Sequence, residues 1–134
     1  LIQNKVKIEI NEFNVNVYTD EKWLEFILNQ IIINSIKYKN DDNPIISIYQ
    51  EENKENVCLY IKDNGIGIKS SEINRVFEKG FTGSNGRKNS KSTGIGLFLC
   101  KKLCDELGLT IQIESNEDEY TIVKIIIPKY EYIR

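Results

Sequence analysis

The segment Glu21–Lys39 constrains the fold more than any other part of this sequence. It carries helix formers and follows Thr19-Asp20, which can cap a helix, and most of its side chains are apolar. Apolar and polar residues alternate over Lys5–Asn11 and Phe13–Tyr18, which predicts two half-buried strands. Four further strands are predicted over Ile45–Tyr49, Val57–Ile61, Thr110–Glu114 and Thr121–Ile127.

Two further helices are predicted, a short one over Ser70–Val76 and a longer one over Gly94–Leu107 that ends at Gly108. The resulting order, ββαββ(α)αββ, predicts an α+β fold in which helices cover one face of a sheet. No linker divides the 134 residues, so we expect a single domain spanning residues 1–134.

The composition excludes several classes of protein. The net charge is −2, which argues against a strongly basic nucleic-acid binder, and no apolar run is long enough to cross a bilayer. The absence of His excludes a Ser/His/Asp triad or a His-ligated metal within this chain.

The absence of Met and the start at Leu1 suggest a piece of a longer protein. Three cysteines, Cys58, Cys100 and Cys104, fit a reducing compartment, and buried apolar packing is favoured for the latter two.

Two polar residues interrupt the apolar helix Glu21–Lys39. Gln30 and Asn34 lie one turn apart, so each needs a hydrogen-bonding partner. Asn34 could simply bond the backbone in the core. Alternatively, its side-chain oxygen could bind a cation, with Lys37 as a phosphate partner and Tyr38 as a flat ring one turn further on.

Two glycine-rich segments are candidate ligand-binding turns. In Asp63-Asn64-Gly65-Ile66-Gly67, the glycines permit close backbone approach and the carboxylate could accept a hydrogen bond from an exocyclic amine. Ser92–Leu97 begins a helix, where free N–H groups can bind phosphate. Alone, the first is equally well a plain turn and the second an ordinary helix start; neither forms a Walker A loop or a complete GxGxxG.

The polar loop between these segments, Thr82–Thr93, contains three cations, Arg87, Lys88 and Lys91. Because it leads directly into the candidate phosphate-binding helix, it is interpreted as a mobile lid over residues 82–93, although its composition alone would favour a merely solvated loop.

Four motifs in this order resemble the ATP-binding catalytic domain of sensor histidine kinases, in the wider family of gyrase, Hsp90 and MutL. The motifs similar to the N box, first glycine box, F box and second glycine box are Asn29–Tyr38, Asp63–Ile68, Phe77–Phe81 and Thr93–Leu97. The resemblance covers about Asn4–Pro128. It implies the Bergerat fold, a two-layer α/β sandwich whose mixed, mainly antiparallel sheet carries three helices on one face. The pattern from Lys79 to Gly94 further resembles the small intramembrane-sensing kinases that respond to cell-wall peptides such as bacitracin.

The resemblance implies roles for individual residues in binding Mg-ATP. Asn34 would ligate Mg²⁺, Lys37 would contact phosphate, and Tyr38 would lie against the adenine, whose amine would bond Asp63. Other nucleotide-binding positions implied by the motifs are Gly65, Gly67, Ile68, Lys79, Gly80, Arg87, Thr93, Gly94, Ile95, Gly96 and Leu97. Of these, Ile68 and Leu97 would line the adenine pocket, Gly94 and Gly96 would present N–H groups to phosphate, and one lid cation would close over the γ-phosphate.

Gln30 departs from the ATP-hydrolysing relatives, which place a Glu four residues before the metal-binding Asn. A neutral amide cannot act as a general base, so we expect transfer of the phosphoryl group to an acceptor and slow hydrolysis of ATP. The other catalytic positions would be Asn34 and Lys37. The acceptor would be a His on a separate dimerisation domain of the same kinase, and a response regulator would follow indirectly. The chain would then be a cytoplasmic, monomeric part of a membrane kinase. A Ser/Thr kinase of the anti-sigma-factor type and a non-catalytic nucleotide-binding scaffold remain alternatives.

Overall fold

The computed structural model of the chain describes residues 6–10, 20–82 and 95–129. Within these ranges the sheet has five strands in the order β1-β2-β3-β5-β4. β1 pairs with β2 in parallel, and all other pairs are antiparallel, which confirms the predicted mixed, mainly antiparallel sheet. The strands are β1 Lys7–Ile10, β2 Ile45–Glu52, β3 Asn56–Asp63, β4 Thr110–Asn116 and β5 Tyr120–Pro128. The strand predicted over Phe13–Tyr18 lies outside the described residues.

β2 and β3 are longer than the sequence predicted. The stretch Gln50–Asn56 was predicted as a connecting loop, but β2 runs to Glu52, which pairs with Val57, and β3 already begins at Asn56. Asn53 makes the short turn possible, because its side-chain oxygen accepts the N–H groups of Glu55 at 2.8 Å and of Asn56 at 2.6 Å. At its other end β3 runs two residues beyond Ile61, so Asp63 belongs to the sheet and not to the turn that follows.

Among the described residues, two α-helices cover one face of the sheet, α1 over Glu21–Lys37 and α2 over Gly96–Leu107. Asp20 caps α1, accepting the N–H groups of Lys22 and Trp23, and Gly108 ends α2 as predicted. The predicted end of α1 at Lys39 was wrong by two residues, because the backbone leaves helical geometry at Tyr38. The predicted start of α2 at Gly94 lies outside the described residues.

The third predicted helix, Ser70–Val76, is in the structure a single 3-10 turn over Ile73–Arg75. Its backbone bonds span three residues, as in Arg75 N–H to the Glu72 carbonyl at 2.9 Å and Glu78 N–H to the Arg75 carbonyl at 3.0 Å. Within the described ranges, the layer on the sheet therefore consists of two α-helices and this turn.

The core lies between the two layers. Ile27 and Ile31 of α1 and Cys100 and Cys104 of α2 pack against the inward side chains of the sheet. Both cysteines have no exposed surface, in agreement with the predicted apolar role, and burial raises the pKa of Cys100 to about 12. In the part of the chain that is described, neither helix has the combination of length and apolarity needed to span a membrane.

Candidate functional site

The C-terminal half of α1 contacts both glycine-rich segments. The Tyr38 carbonyl accepts the N–H of Ile66 at 3.1 Å, and the Gln30 side-chain oxygen lies 3.2 Å from the position that a Cβ on Gly96 would occupy. Asn34 lies one helical turn after Gln30 on the same face of α1, and its carbonyl accepts the N–H of Tyr38, the residue that follows the helix, at 3.2 Å. The structure therefore places Asn34 between the turn that follows β3 and the start of α2.

Asp63 ends β3 with a buried carboxylate. The residue is 8% exposed and pairs across the sheet with Thr121 of β5. Its Oδ1 accepts the N–H of Gly65 at 2.9 Å. Burial raises the pKa of Asp63, and the hydrogen bonds from Gly65 and Ser35 oppose that rise. A carboxylate can accept about four hydrogen bonds, so acceptor capacity remains for a ligand.

Gly65 is required by close packing between the turn and α1. A Cβ at this position would lie 2.6 Å from the Tyr38 carbonyl oxygen and 2.8 Å from Oδ1 of Asp63. Any side chain would push the turn away from the helix or displace the carboxylate. The glycine therefore keeps the backbone of the turn next to the carboxylate and against α1.

Gly67 fixes the same turn to the hairpin between β4 and β5. Its φ is +73°, and a Cβ there would lie 2.4 Å from the Asn116 carbonyl oxygen. On either side of it, the Ile66 carbonyl accepts the N–H of Asp118 at 2.7 Å and the Ile68 N–H donates to Ser115 Oγ at 2.8 Å. Backbone and side-chain contacts thus hold the turn on a rigid hairpin.

Asn64 ties the turn to the start of β2. Its Oδ1 accepts the N–H of Ile45 at 2.8 Å, and its Nδ2 donates to the Asn43 carbonyl at 3.1 Å. The Asn40 side chain in turn donates to the Asn64 carbonyl. The turn after β3 is therefore held from the α1–β2 connection as well as from the β4–β5 hairpin.

Sequence reasoning missed four residues that build this site, namely Ser35, Asn40, Ser115 and Thr121. Ser35 had a signal, because it is a polar residue beside Asn34 in an apolar helix. The sequence carries no such signal for Thr121 and Ser115, because their proximity to Asp63 and Ile68 depends on strand pairing. Their hydroxyl oxygens are 2.8 Å apart.

The remaining predicted positions lie at the start of α2, at Lys79 and Gly80, or outside the described residues. Gly96 is the first residue of α2, and the first N–H groups of a helix have no acceptor within it. Lys79 lies 5.9 Å from the ring centroid of Phe98, next to Leu97, so this segment lies near the first turn of α2. Gly80 is exposed, with a φ of +80°. Arg87, Thr93 and Gly94, with all of the predicted lid except Thr82, lie outside the described residues.

The donor set determines how a metal ion could be held. In residues 6–10, 20–82 and 95–129, no three His, Cys, Asp or Glu side chains are grouped so that they could hold a metal ion. Asn34 offers an amide oxygen, the kind of ligand that Mg²⁺ accepts, and Mg²⁺ commonly takes its other ligands from phosphate and water. These residues fit a magnesium ion that arrives with a phosphate-bearing ligand.

The site combines the buried carboxylate of Asp63 beside a glycine turn with a polar face of α1 and the start of α2. This combination is typical of a class of nucleotide-binding domain. The chain belongs to the family of histidine kinase-, DNA gyrase B- and HSP90-like ATPases, whose model matches residues 19–131. Membership of this family implies that the domain binds ATP.

Among similar proteins is the sensor protein kinase GraS of Staphylococcus aureus, 42% identical over 112 residues that make up 84% of this chain. The match covers 32% of GraS, so the chain spans about a third of the curated relatives it matches.

Solved structures of histidine kinases share the fold. The mycobacterial sensor histidine kinase MprB superposes with a TM-score of 0.83 at 19% identity, over 98% of this chain and 88% of that one. The Acinetobacter baumannii histidine kinase AdeS gives 0.75 at 26% identity, over 97% and 57%. The catalytic domain of histidine kinase ThkA gives 0.73 at 26% identity, over 92% and 79%. The predicted two-layer fold is therefore confirmed as that of histidine kinase catalytic domains.

Proposed function

We propose that this chain is the catalytic domain of a sensor histidine kinase, which binds Mg-ATP and donates the γ-phosphoryl group to a His on a separate dimerisation domain. The observation that carries the proposal is the buried Asp63 carboxylate, which accepts the Gly65 N–H next to a turn too close to α1 for any side chain. Such an acceptor suits a ligand that presents an amine, as adenine does.

The adenine would be held by Asp63 through its amine and by the turn containing Gly65 and Gly67. Ile68 and Leu97 would contribute apolar surface, and Tyr38 a ring against the base. An ionised carboxylate accepts hydrogen bonds but donates none, so the same position would reject a base with a keto oxygen there.

The phosphates would lie between α1 and the start of α2. Asn34 would give its oxygen to Mg²⁺, Lys37 would neutralise phosphate charge, and the N–H groups near Gly96 would bind phosphate oxygens. Other positions proposed to contact the phosphates or close over them are Lys79, Gly80, Arg87, Thr93, Gly94 and Ile95. When bound, ATP supplies the phosphoryl group, whose bond to the ADP oxygen is replaced by a bond to a nitrogen of the acceptor histidine.

The side chain of Gln30 favours transfer of the phosphoryl group to a protein acceptor over hydrolysis of ATP. Its amide lies next to Gly96, at the proposed phosphate site, but it cannot remove a proton from water. Phosphoryl transfer needs chiefly positioning and charge neutralisation, which Asn34, Lys37 and the start of α2 would provide.

The partners follow from this function. We propose residues 1–134 as one catalytic unit, monomeric by itself, that acts on the dimerisation domain of its parent protein and through it on a response regulator. The parent would be a membrane sensor kinase with this unit on the cytoplasmic side. The resemblance to bacitracin-sensing kinases stays a prediction.

Calorimetric titration of the chain with ATP, with and without Mg²⁺, tests the proposal. We expect binding that Mg²⁺ strengthens, that GTP does not reproduce and that Asp63→Ala abolishes. Asp105→Ala is the matched control, because Asp105 is an exposed residue near the opposite end of α2 from the start that the site uses. Failure to bind millimolar ATP, or equal binding of GTP, would contradict the proposed function.

A further inference from the structure

The side chain of Ser115 joins three parts of the chain next to the candidate site. Ser115 lies near the end of β4, on the same face of the sheet as Ile113, which packs against the core. Its Oγ accepts the N–H of Ile68 at 2.8 Å, donates to the Tyr120 carbonyl at 2.7 Å and lies 2.8 Å from the hydroxyl oxygen of Thr121. One hydroxyl thus links the glycine-rich turn after β3 to both strands of the β4–β5 hairpin.

These contacts use the whole hydrogen-bonding capacity of the hydroxyl. A serine hydroxyl has one proton to donate and two lone pairs with which to accept. The Tyr120 carbonyl can only accept, so it takes the proton of Ser115. The Thr121 hydroxyl must then donate to Ser115, and the Ile68 N–H occupies the remaining lone pair. Ser115 therefore has no capacity left for a ligand, and any effect on binding must pass through the groups that it holds.

Among these groups, the Ile68 N–H belongs to the turn that is proposed to hold the base. Two residues earlier in the turn, the Ile66 carbonyl accepts the N–H of Asp118 at 2.7 Å, and Gly67 lies too close to the hairpin for any side chain. Of these contacts between turn and hairpin, the one to Ser115 is made by a side chain. A substitution can therefore remove it without changing the backbone.

We propose that Ser115 is a positioning residue for the adenine base: its hydroxyl fixes the Ile68 end of the turn, and with it the apolar surface that Ile68 would offer to the base. This inference rests on the proposed function. Without the hydroxyl, the Ile68 N–H would lose its acceptor, and the turn would have to be ordered when the nucleotide binds. Ordering a segment on binding costs affinity, and a turn that is fixed beforehand avoids this cost.

The test measures the affinity for ATP, with and without Mg²⁺, of the wild-type chain, Ser115→Ala and Ser115→Thr. We expect the affinity to fall about tenfold in Ser115→Ala. Ser115→Thr should retain most of it, because threonine keeps the hydroxyl and suits a strand. The factor by which Mg²⁺ strengthens binding should be the same in all three proteins, because the proposed metal and phosphate contacts come from α1 and the start of α2.

Two further variants separate the hydroxyl from the shape of the side chain and from a general effect of Ser→Ala. Ser115→Val matches threonine in shape but lacks the hydroxyl, so it should lose as much affinity as Ser115→Ala. Ser47→Ala is the matched control, because Ser47 lies on the opposite face of the sheet, where its hydroxyl donates to Glu9 at 3.1 Å. Its affinity should equal that of the wild type.

A second arm asks whether Ser115 acts through Ile68. In the Ile68→Ala background, Ser115→Ala should weaken ATP binding much less than in the wild type. Urea denaturation of each variant gives its folded fraction under the titration conditions, so that lost stability is not counted as lost affinity.

Four outcomes would overturn the inference and leave the proposed function intact: unchanged affinity in Ser115→Ala, no recovery in Ser115→Thr, a smaller effect of Mg²⁺ in Ser115→Ala, or additive effects of the Ser115 and Ile68 substitutions. A wild-type chain that does not bind ATP would overturn the proposed function and this inference with it.

Discussion

At the scale of single residues, the carboxylate of Asp63 would serve ligand binding but lowers the stability of the fold. Burial raises the pKa of its carboxyl, which means that the folded state disfavours the ionised form relative to the unfolded state. Above the folded pKa the carboxylate therefore lowers the free energy of unfolding, and this penalty vanishes as the pH falls to the ordinary value of 3.8. In the absence of a ligand, the fold would therefore be more stable without the carboxylate that is proposed to bind adenine.

Asp63→Asn is accordingly expected to raise the free energy of unfolding at neutral pH while it weakens ATP binding. The amide keeps an oxygen for the Gly65 N–H and carries no buried charge. Urea denaturation at several pH values measures the effect, and the gain should shrink as the pH is lowered towards 3.8. A variant less stable than the wild type at neutral pH would contradict this account.

Gly67 and Gly80 offer a matched pair of substitutions at positive φ. Both have φ near +75°, at +73° and +80°, but a Cβ at Gly67 would meet the backbone of Asn116 at 2.4 Å, whereas at Gly80 nothing lies within 4 Å. Gly80→Ala should lose about 1 kcal/mol for the left-handed backbone alone. Gly67→Ala should lose at least about twice that, since the hairpin must move.

Urea denaturation gives both values, and ATP titration gives the functional consequence. Gly67→Ala should also weaken ATP binding, because the turn would leave its position on the hairpin. Equal losses of stability in the two variants would mean that the close contact with Asn116 is relieved without cost.

At the scale of elements, local patterns predicted most of what is observed. The apolar stretch from Glu21 predicted α1, and the predicted strands include all five described ones, within a few residues at their ends. The position of Asp63 within β3 was not predictable, because its pairing partner Thr121 is far along the chain.

The N-terminal cap of α1 can be separated from the site that the same helix carries. Asp20 accepts the N–H groups of Lys22 at 3.0 Å and Trp23 at 3.2 Å, so Asp20→Ala should cost about 1 kcal/mol of stability. Fraying is confined to the first turn, and Gln30 and Asn34 lie beyond it, so ATP affinity should be unchanged.

Chemical denaturation and calorimetry check the two halves of that prediction. Asp41→Ala serves as the control, because the Asp41 side chain is fully exposed and its ion pair with Lys39 contributes little. A marked loss of ATP affinity in Asp20→Ala would show that the whole of α1, and not only its first turn, depends on the cap.

At the scale of the whole molecule, the two faces of the sheet have different tasks. The helix-covered face holds the core and, at one edge, the meeting point of α1, the end of β3 and the start of α2. The other face carries paired side chains, with the rings of Tyr49 and Tyr60 stacked at 4.9 Å and Lys124 over Tyr60 at 5.6 Å. The candidate site thus lies on the helix-covered face, where β3 ends.

The last prediction concerns the acceptor of the phosphoryl group. No His is present in this chain, so phosphorylation of a histidine requires a second domain. With γ-labelled ATP and the histidine-bearing dimerisation domain of the parent kinase, we expect label on the acceptor that acid releases, as from a phosphorus–nitrogen bond. The chain alone should release phosphate slowly, because Gln30 cannot serve as a general base. Substituting the acceptor histidine should abolish labelling, while Asp105→Ala in this chain should leave it unchanged. Acid-stable label on a serine-bearing acceptor would favour a Ser/Thr kinase, and rapid phosphate release by the chain alone would identify a hydrolase instead.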